Sequence, residues 1–258
     1  MKRYLLNFNK YKPLLRELIK RDLKTKYRRS ILGYLWSLLN PLMMMIVVSL
    51  VFSYMFRFDI PNYPMYLLTG QILFNFLSES TNMAMTSLIN SASLINKVYV
   101  PKYIFPLSRV LSSFVNLLFS LVAILLMLII TKTPITPAIF LLPIPLIFIL
   151  LYCIGLGMIL SILAVYFRDT IHLYGIIITA WTYFTPIFYP VSLIPNLAKS
   201  LMNFNPMFHF INVFRDIVMY GKIPTLDSLI ICFVFSLSTL AIGMVSFKKL
   251  QHNIILHL

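Results

Sequence analysis

The chain has 258 residues, 60% of them apolar and only 11% charged, with a mean hydropathy of +0.87. Soluble domains run about 45–50% apolar and about 25% charged, which excludes a water-soluble globule, a disordered tail and a disulfide scaffold. The 22 Lys and Arg against 7 Asp and Glu leave a formal charge of +15, and the whole composition indicates a polytopic all-α membrane protein.

Residues 1–29 read as a cytoplasmic N-terminus that carries an amphipathic interface helix. Leu14, Leu15, Leu18, Ile19, Leu23 and Tyr27 recur at helical spacing, while Arg16, Lys20 and Lys24 line the opposite face. Pro13 suits a first helical turn and Glu17 stands four residues before Arg21. Such a helix lies in the interface with its apolar side toward lipid, either as an anchor alone or as a docking element. The run Lys24-Thr-Lys-Tyr-Arg-Arg29 meets the first span and offers several cations to a phosphate, with Arg28 and Arg29 able to bind its oxygens bidentately.

Residues 30–250 form the transmembrane domain. A helix needs about 20 apolar residues to cross the hydrocarbon layer. Charge-poor stretches predict six spans at about 31–56, 65–90, 110–131, 138–166, 170–189 and 228–247, followed by a cytoplasmic tail at 251–258. The first run is too long for a signal-peptide core. Pro41, Pro143 and Pro145 predict local kinks. The 91–106 connection is short and Pro-bounded, which suits a rigid docking element. Phe167-Arg168-Asp169-Thr170 forms a tight turn in which Arg168 and Asp169 can pair or cap helix ends.

Residues 190–227 hold Pro190, Pro195, Pro206 and Pro224 yet stay largely apolar. Each Pro-free piece is too short to span. The stretch therefore predicts two short re-entrant or interfacial helices between spans five and six, with an amphipathic surface hairpin as the alternative. Six spans put both termini on one side, which collects 17 of the 22 basic residues, so that side is cytoplasmic; Arg57, Lys132, Lys199, Arg215 and Lys222 fall on the other. The positive charge is a topology signal and calls for no nucleic acid.

Chemistry-bearing patterns are sparse. No phosphate-cradling G-x-x-x-x-G-K-[ST] occurs, and the four histidines lack partners at metal spacing. Cys153 and Cys232 lie in apolar runs and read as buried thiols. Glu79 is the lone carboxylate inside a span, too little for a proton relay or for an embedded glycosyl- or acyltransferase. A power source must be another polypeptide, and no catalytic residue, metal or cofactor is assigned to this chain.

Several patches in order carry a resemblance: Arg21-Asp-Leu-Lys-Thr-Lys-Tyr-Arg-Arg-Ser-Ile-Leu-Gly-Tyr-Leu-Trp36 with Asn40-Pro-Leu, Leu94-Ile-Asn-Lys-Val-Tyr-Val-Pro-Lys102, Phe167-Arg-Asp-Thr170, Thr185-Pro-Ile-Phe-Tyr-Pro190 and Asn205-Pro-Met with Phe214-Arg215. Together they resemble permease subunits of ABC-2 type exporters for polysaccharides and polyol phosphates (O-antigen, capsule or teichoic acid). The resemblance implies a homodimer paired with two copies of an ABC ATPase, which carries the ATP and Mg. It also implies an undecaprenyl-diphosphate-linked glycan as substrate and the bacterial or archaeal cytoplasmic membrane as location. A drug or small-lipid exporter of the same broad class is the alternative.

On the same resemblance, Arg28, Arg29 and Lys26 are candidates for the lipid diphosphate at the inner gate. Tyr34, Trp36, Trp181, Tyr183 and Phe184 are candidates for the glycan channel. Arg16, Lys20, Asp22, Asn96, Lys97, Tyr99 and Lys102 are candidates for coupling to the ATPase.

Overall fold

The computed structural model describes residues 2–26, 30, 32–55, 60–134, 136–251 and 254. Ten α-helices are described: α1 (Lys2–Lys26), α2 (Leu35–Met55), α3 (Tyr63–Asn90), α4 (Ala92–Ile95), α5 (Ile104–Ile130), α6 (Pro143–Tyr166), α7 (Thr170–Phe184), α8 (Asn196–Met202), α9 (Pro206–Val218) and α10 (Leu226–Leu250). No strand occurs among the described residues. Four segments are long and apolar enough to cross a membrane: Leu35–Phe52, Ile104–Ile130, Pro137–Tyr166 and Leu226–Leu250. The first and last of these are only 17% buried. Helices that apolar and that uncovered need lipid around them, so the chain is a multi-pass membrane protein.

α3 and α7 stand apart from those four. α3 has 28 residues, but Gln71, Asn75, Glu79 and Asn82 interrupt its apolar character. α7 has 15 residues and stops before Thr185-Pro186, because a residue preceding proline leaves the helical region. α3 is nevertheless the centre of the core, running along both α5 and α6, while α6 packs along α10. Its buried hydroxyls satisfy themselves locally: Thr69, Ser80, Thr81 and Ser87 donate to carbonyls three or four residues back.

The α6–α10 crossing depends on glycine. A Cβ on Gly155 would collide with the Thr239 backbone, and one on Gly243 with the Gly155 backbone. Small residues let two membrane helices bring their backbones together where no hydrophobic driving force separates helix from lipid. Gly155→Leu should therefore force the pair apart at a cost of about 1–3 kcal/mol. The check is the unfolding midpoint in detergent, expected to fall by several degrees; an unchanged midpoint would show that the close approach is dispensable.

Several expectations need correction. α1 begins at Lys2, so Pro13 lies inside the helix and does not open it. The apolar face of α1 is also not left to lipid: Leu15 and Leu18 are buried in a cluster with Ile95, Ile104, Phe105, Met158 and Phe247. Pro143 starts α6 and does not kink it, since the missing N–H of a proline costs nothing at a first helical position. A 3-10 turn over Pro137–Leu141 precedes it. Pro41 does lie within α2.

Arg215, a loop charge by sequence, is buried. Arg168 and Asp169 are both exposed and form no ion pair among the described residues. Asp169 caps α7 through its backbone carbonyl, which accepts from the amides of His172 and Leu173; two solvated neighbours at a helix start gain little by pairing. Cys153 and Cys232 are free thiols and fully buried, as expected.

Candidate functional site

Three helices enclose the principal cavity. Trp36, Ser37, Asn40, Pro41 and Met44 of α2 face Gln71, Asn75, Ser78, Glu79 and Asn82 of α3 and Ser113, Asn116 and Ser120 of α5, around a volume of about 670 Å³. On α3 the polar residues recur at i, i+4, i+8 and i+11, and on α5 at i, i+3 and i+7, so each set forms one stripe down one face. Of these residues the sequence marks Trp36 as a channel candidate, Glu79 as the lone carboxylate inside a span, Pro41 as a kink and Asn40 within the Asn40-Pro-Leu patch; the α3 amides and the α5 polar residues it does not single out. The stripes themselves were the available signal, because amides at helical spacing inside otherwise apolar runs do not face hydrocarbon.

Lys26, the last residue of α1, closes one end. Its Nζ donates to Glu79 Oε1 at 2.7 Å, and the same carboxylate accepts from Asn116 Nδ2 at 2.9 Å and Ser113 Oγ at 3.5 Å. Lys26 is thus engaged with a carboxylate in this structure. Its expected companions at the gate, Arg28 and Arg29, lie outside the described residues. Further along the cleft, Pro41 has no N–H to give the Ser37 carbonyl four residues back. The Ser120 hydroxyl donates to that carbonyl at 3.0 Å, which docks α2 onto α5 at its proline.

The remaining aromatic candidates separate. Tyr34 is 44% exposed and leans on Phe119 at 5.6 Å between ring centroids; Tyr183 and Phe184 are also exposed. Trp181 turns inward. Its Nε1 donates to Asn205 Oδ1 at 2.8 Å, Asn205 Nδ2 donates to Thr185 Oγ1 at 3.0 Å, and Asn205 Oδ1 also accepts the Met207 amide at the start of α9. These bonds link the Thr185–Pro190 and Asn205-Pro-Met patches, which were separate motifs in the sequence.

The same non-helical stretch is tied to α3. Tyr63 donates to the Phe188 carbonyl at 2.7 Å, and Tyr66 to those of Pro186 and Tyr189 at 3.1 and 2.9 Å. Arg215 of α9 donates from Nη1 to Pro186 O and from Nη2 to Tyr66 O, both at 3.0 Å, with its guanidinium 3.4 Å above the Tyr66 ring. Gly70 makes room for it, since a Cβ there would lie 2.8 Å from Nη2. Irregular backbone persists beside spanning helices only when its carbonyls find such partners. Side-chain donors from α3 and α9 supply them here.

The coupling candidates gather at one end. Leu15 and Leu18 of α1 share an apolar cluster with Ile95, Val100 and Tyr103 of the 91–106 connection. This leaves Arg16, Lys20, Asn96, Lys97 and Tyr99 exposed, Tyr99 at 94%. Lys20 holds the exposed Glu17 carboxyl below its usual range through a 2.8 Å hydrogen bond. Two of the seven point elsewhere. Lys102 donates to the Gln251 carbonyl at 2.6 Å, and burial holds its ammonium below the usual lysine range. Asp22 is buried, pairing with Arg109 Nη1 of α5 at 2.7 Å and accepting from Ser112 Oγ at 3.3 Å; it fastens α1 to the bundle.

Comparison with known proteins finds relatives along nearly the whole chain. The chain is 32% identical over 221 residues to an O-antigen export system permease protein of Myxococcus xanthus, covering 85% of each chain. It is 29% identical over 234 residues to a Klebsiella pneumoniae protein of the same description, covering 90% of each. A polysialic acid transport protein of Escherichia coli is 28% identical over 247 residues, or 93% of this chain and 95% of that one. The model of the ABC-2 type transporter family matches residues 13–219, which takes in α1 from Pro13 onward, the cleft and Arg215 with its partners, and the chain belongs to that family.

Proposed function

We propose that this chain is the channel-forming permease of an ATP-driven exporter. Its cargo is an undecaprenyl-diphosphate-linked polysaccharide, O-antigen-like or teichoic acid-like, carried from the cytoplasm across the cytoplasmic membrane of a bacterium or archaeon. The observation that carries this is similarity along nearly the whole chain to O-antigen export permeases. In this reading α3, and α7 extended by the 185–190 stretch, complete six spans and leave both termini cytoplasmic. α8 and α9 dip into the outer mouth.

A glycan needs a polar route, because each hydroxyl stripped of water without a partner costs roughly 2–7 kcal/mol. One such bundle encloses little space, and a two-fold pair sharing a central passage supplies more. The exposed aromatics Tyr34, Trp36, Tyr183 and Phe184 would line that passage, with Trp181 holding its wall. Two ATPase subunits, which carry ATP and Mg, would dock on the exposed ends of α1 and the 91–106 connection. Their closure reaches the spans through the shared apolar cluster and through Asp22–Arg109. Arg28 and Arg29, with Lys26 beside them, would receive the diphosphate.

Two measurements bear on this. Deleting the gene should remove the surface polysaccharide while its lipid-linked form accumulates inside, and restoring the gene should work only when the ATPase is present. Unchanged surface polysaccharide in the deletion strain would refute the proposal. Arg28→Ala combined with Arg29→Ala should lower export and substrate-stimulated ATP hydrolysis while the complex still assembles; wild-type export by that variant would remove the diphosphate role.

A further inference from the structure

We infer that the cleft between α2, α3 and α5 is a binding site for an uncharged sugar, held by the amides of Asn40, Gln71 and Asn75 with Trp36 as a stacking face. The inference rests on the exporter reading above and assigns it a sugar subsite in this cleft, which shares Trp36 with the proposed passage. Among the described residues, the side-chain amides of those three residues have no hydrogen-bond partner, and Asn40 and Asn75 are exposed into the cleft. In the six-span reading both of their helices, α2 and α3, stand in the bilayer, where an amide without a partner is costly. The cleft therefore takes water or a ligand that both donates and accepts hydrogen bonds.

The lining selects among occupants. An acyl chain would leave all three amides unsatisfied. An anion would meet the Glu79 carboxylate, and Lys26 already sits 2.7 Å from that carboxylate, so the paired charges leave the wall neutral. A metal cation would find one carboxylate that already takes three donors. A sugar matches: its hydroxyls donate and accept as amides do, and a flat indole suits a ring face. The volume of about 670 Å³ falls within the range of about 300–1,000 Å³ usual for small-molecule sites.

The test uses the full chain with its ATPase in its own membranes. Cys153 and Cys232 are fully buried, so a water-soluble maleimide reads a thiol introduced by Asn75→Cys. Labelling should be rapid in inverted membranes from cells that make no lipid-linked glycan, and slowed severalfold in membranes loaded with the cells' own glycan. Equal rates in both would leave a cleft filled by water only, and no labelling in either would mean a closed or lipid-filled one; each overturns the inference. Protection by inorganic pyrophosphate in glycan-free membranes would make it an anion site and also overturn it.

A second arm compares Asn75→Leu with Asn75→Gln. Leucine should lower surface polysaccharide about tenfold, the equivalent of one lost hydrogen bond, while the complex still co-purifies, and glutamine should restore most of it. Wild-type export with leucine refutes the subsite. Gene deletion keeps the two failures distinct: if deletion abolishes export and the Asn75 results are negative, only the subsite falls, whereas export that survives deletion removes the exporter reading itself.

Discussion

Arg215→Met is expected to destabilise the assembled protein by about 2–4 kcal/mol and to abolish export. Arg215 is 2% exposed and pairs with no carboxylate among the described residues. Its compensation is two carbonyls and the Tyr66 ring, and its Nε is buried without a partner. Removing it recovers the cost of burying a charge, which opposes the loss. The loss is larger for three reasons: two hydrogen bonds from a charged donor disappear, worth about 1.5–3 kcal/mol each, although both carbonyls keep a hydroxyl donor (Thr69 on Tyr66 O and Tyr66 on Pro186 O); a desolvated cation–π contact of about 2 kcal/mol goes; and a void opens beneath Gly70. Arg215→Lys should not rescue, because an ammonium on a flexible stem cannot fork to Pro186 and Tyr66 at once. The checks are the unfolding midpoint of the purified complex and surface polysaccharide in cells. A lysine variant with wild-type values for both would show that charge alone suffices.

Asp22→Ala is expected to have an effect of similar size at the other end. Its carboxylate is 3% exposed and Arg109, its partner at 2.7 Å, is 19% exposed. Breaking a buried pair by removing one member costs about 3–5 kcal/mol, because the other charge is left without compensation. Here the bond joins α1 to α5, so α1 should come loose, giving rapid proteolysis within 10–26 and ATP hydrolysis that no longer responds to substrate. Asp22→Asn keeps a hydrogen-bonding side chain for Ser112 and should lose less. Combining Asp22→Ala with Arg109→Ala should recover part of the loss, and a double-mutant cycle measures that coupling. Strict additivity in the cycle would mean the two residues act independently.

The two variants also separate local from long-range information. The spanning helices α2, α5, α6 and α10 were legible to within a few residues, apart from the start of α5, because length and hydropathy are properties of a contiguous stretch. Pairings that cross the chain were not. Arg215 meets Tyr66 across 149 positions, and nothing near residue 215 distinguishes a buried arginine from a solvated one, so it entered the loop count. Asp22 likewise reads in the sequence as a coupling candidate on an interfacial helix, and only the packing of α5 supplies Arg109 and makes it an internal tie.

Proline misled in a different way. Its role depends on whether the helix has begun, which the residues around Pro13 and Pro143 do not state. The polar stripes on α3 and α5 were present at helical spacing, but only the packing of three helices turns them into a cleft.

The most direct measurement of the whole reading is transport by purified components. The permease is reconstituted into liposomes with and without its ATPase, the lipid-linked glycan is loaded on one face, and its appearance on the other is followed with an impermeant lectin or glycosidase. Crossing should require both proteins and hydrolysable ATP, and the permease alone should be inert under any ion gradient. Glycan movement by the permease alone, driven by protons or sodium, or a new covalent bond formed by it, would contradict a passive passage powered from outside the chain.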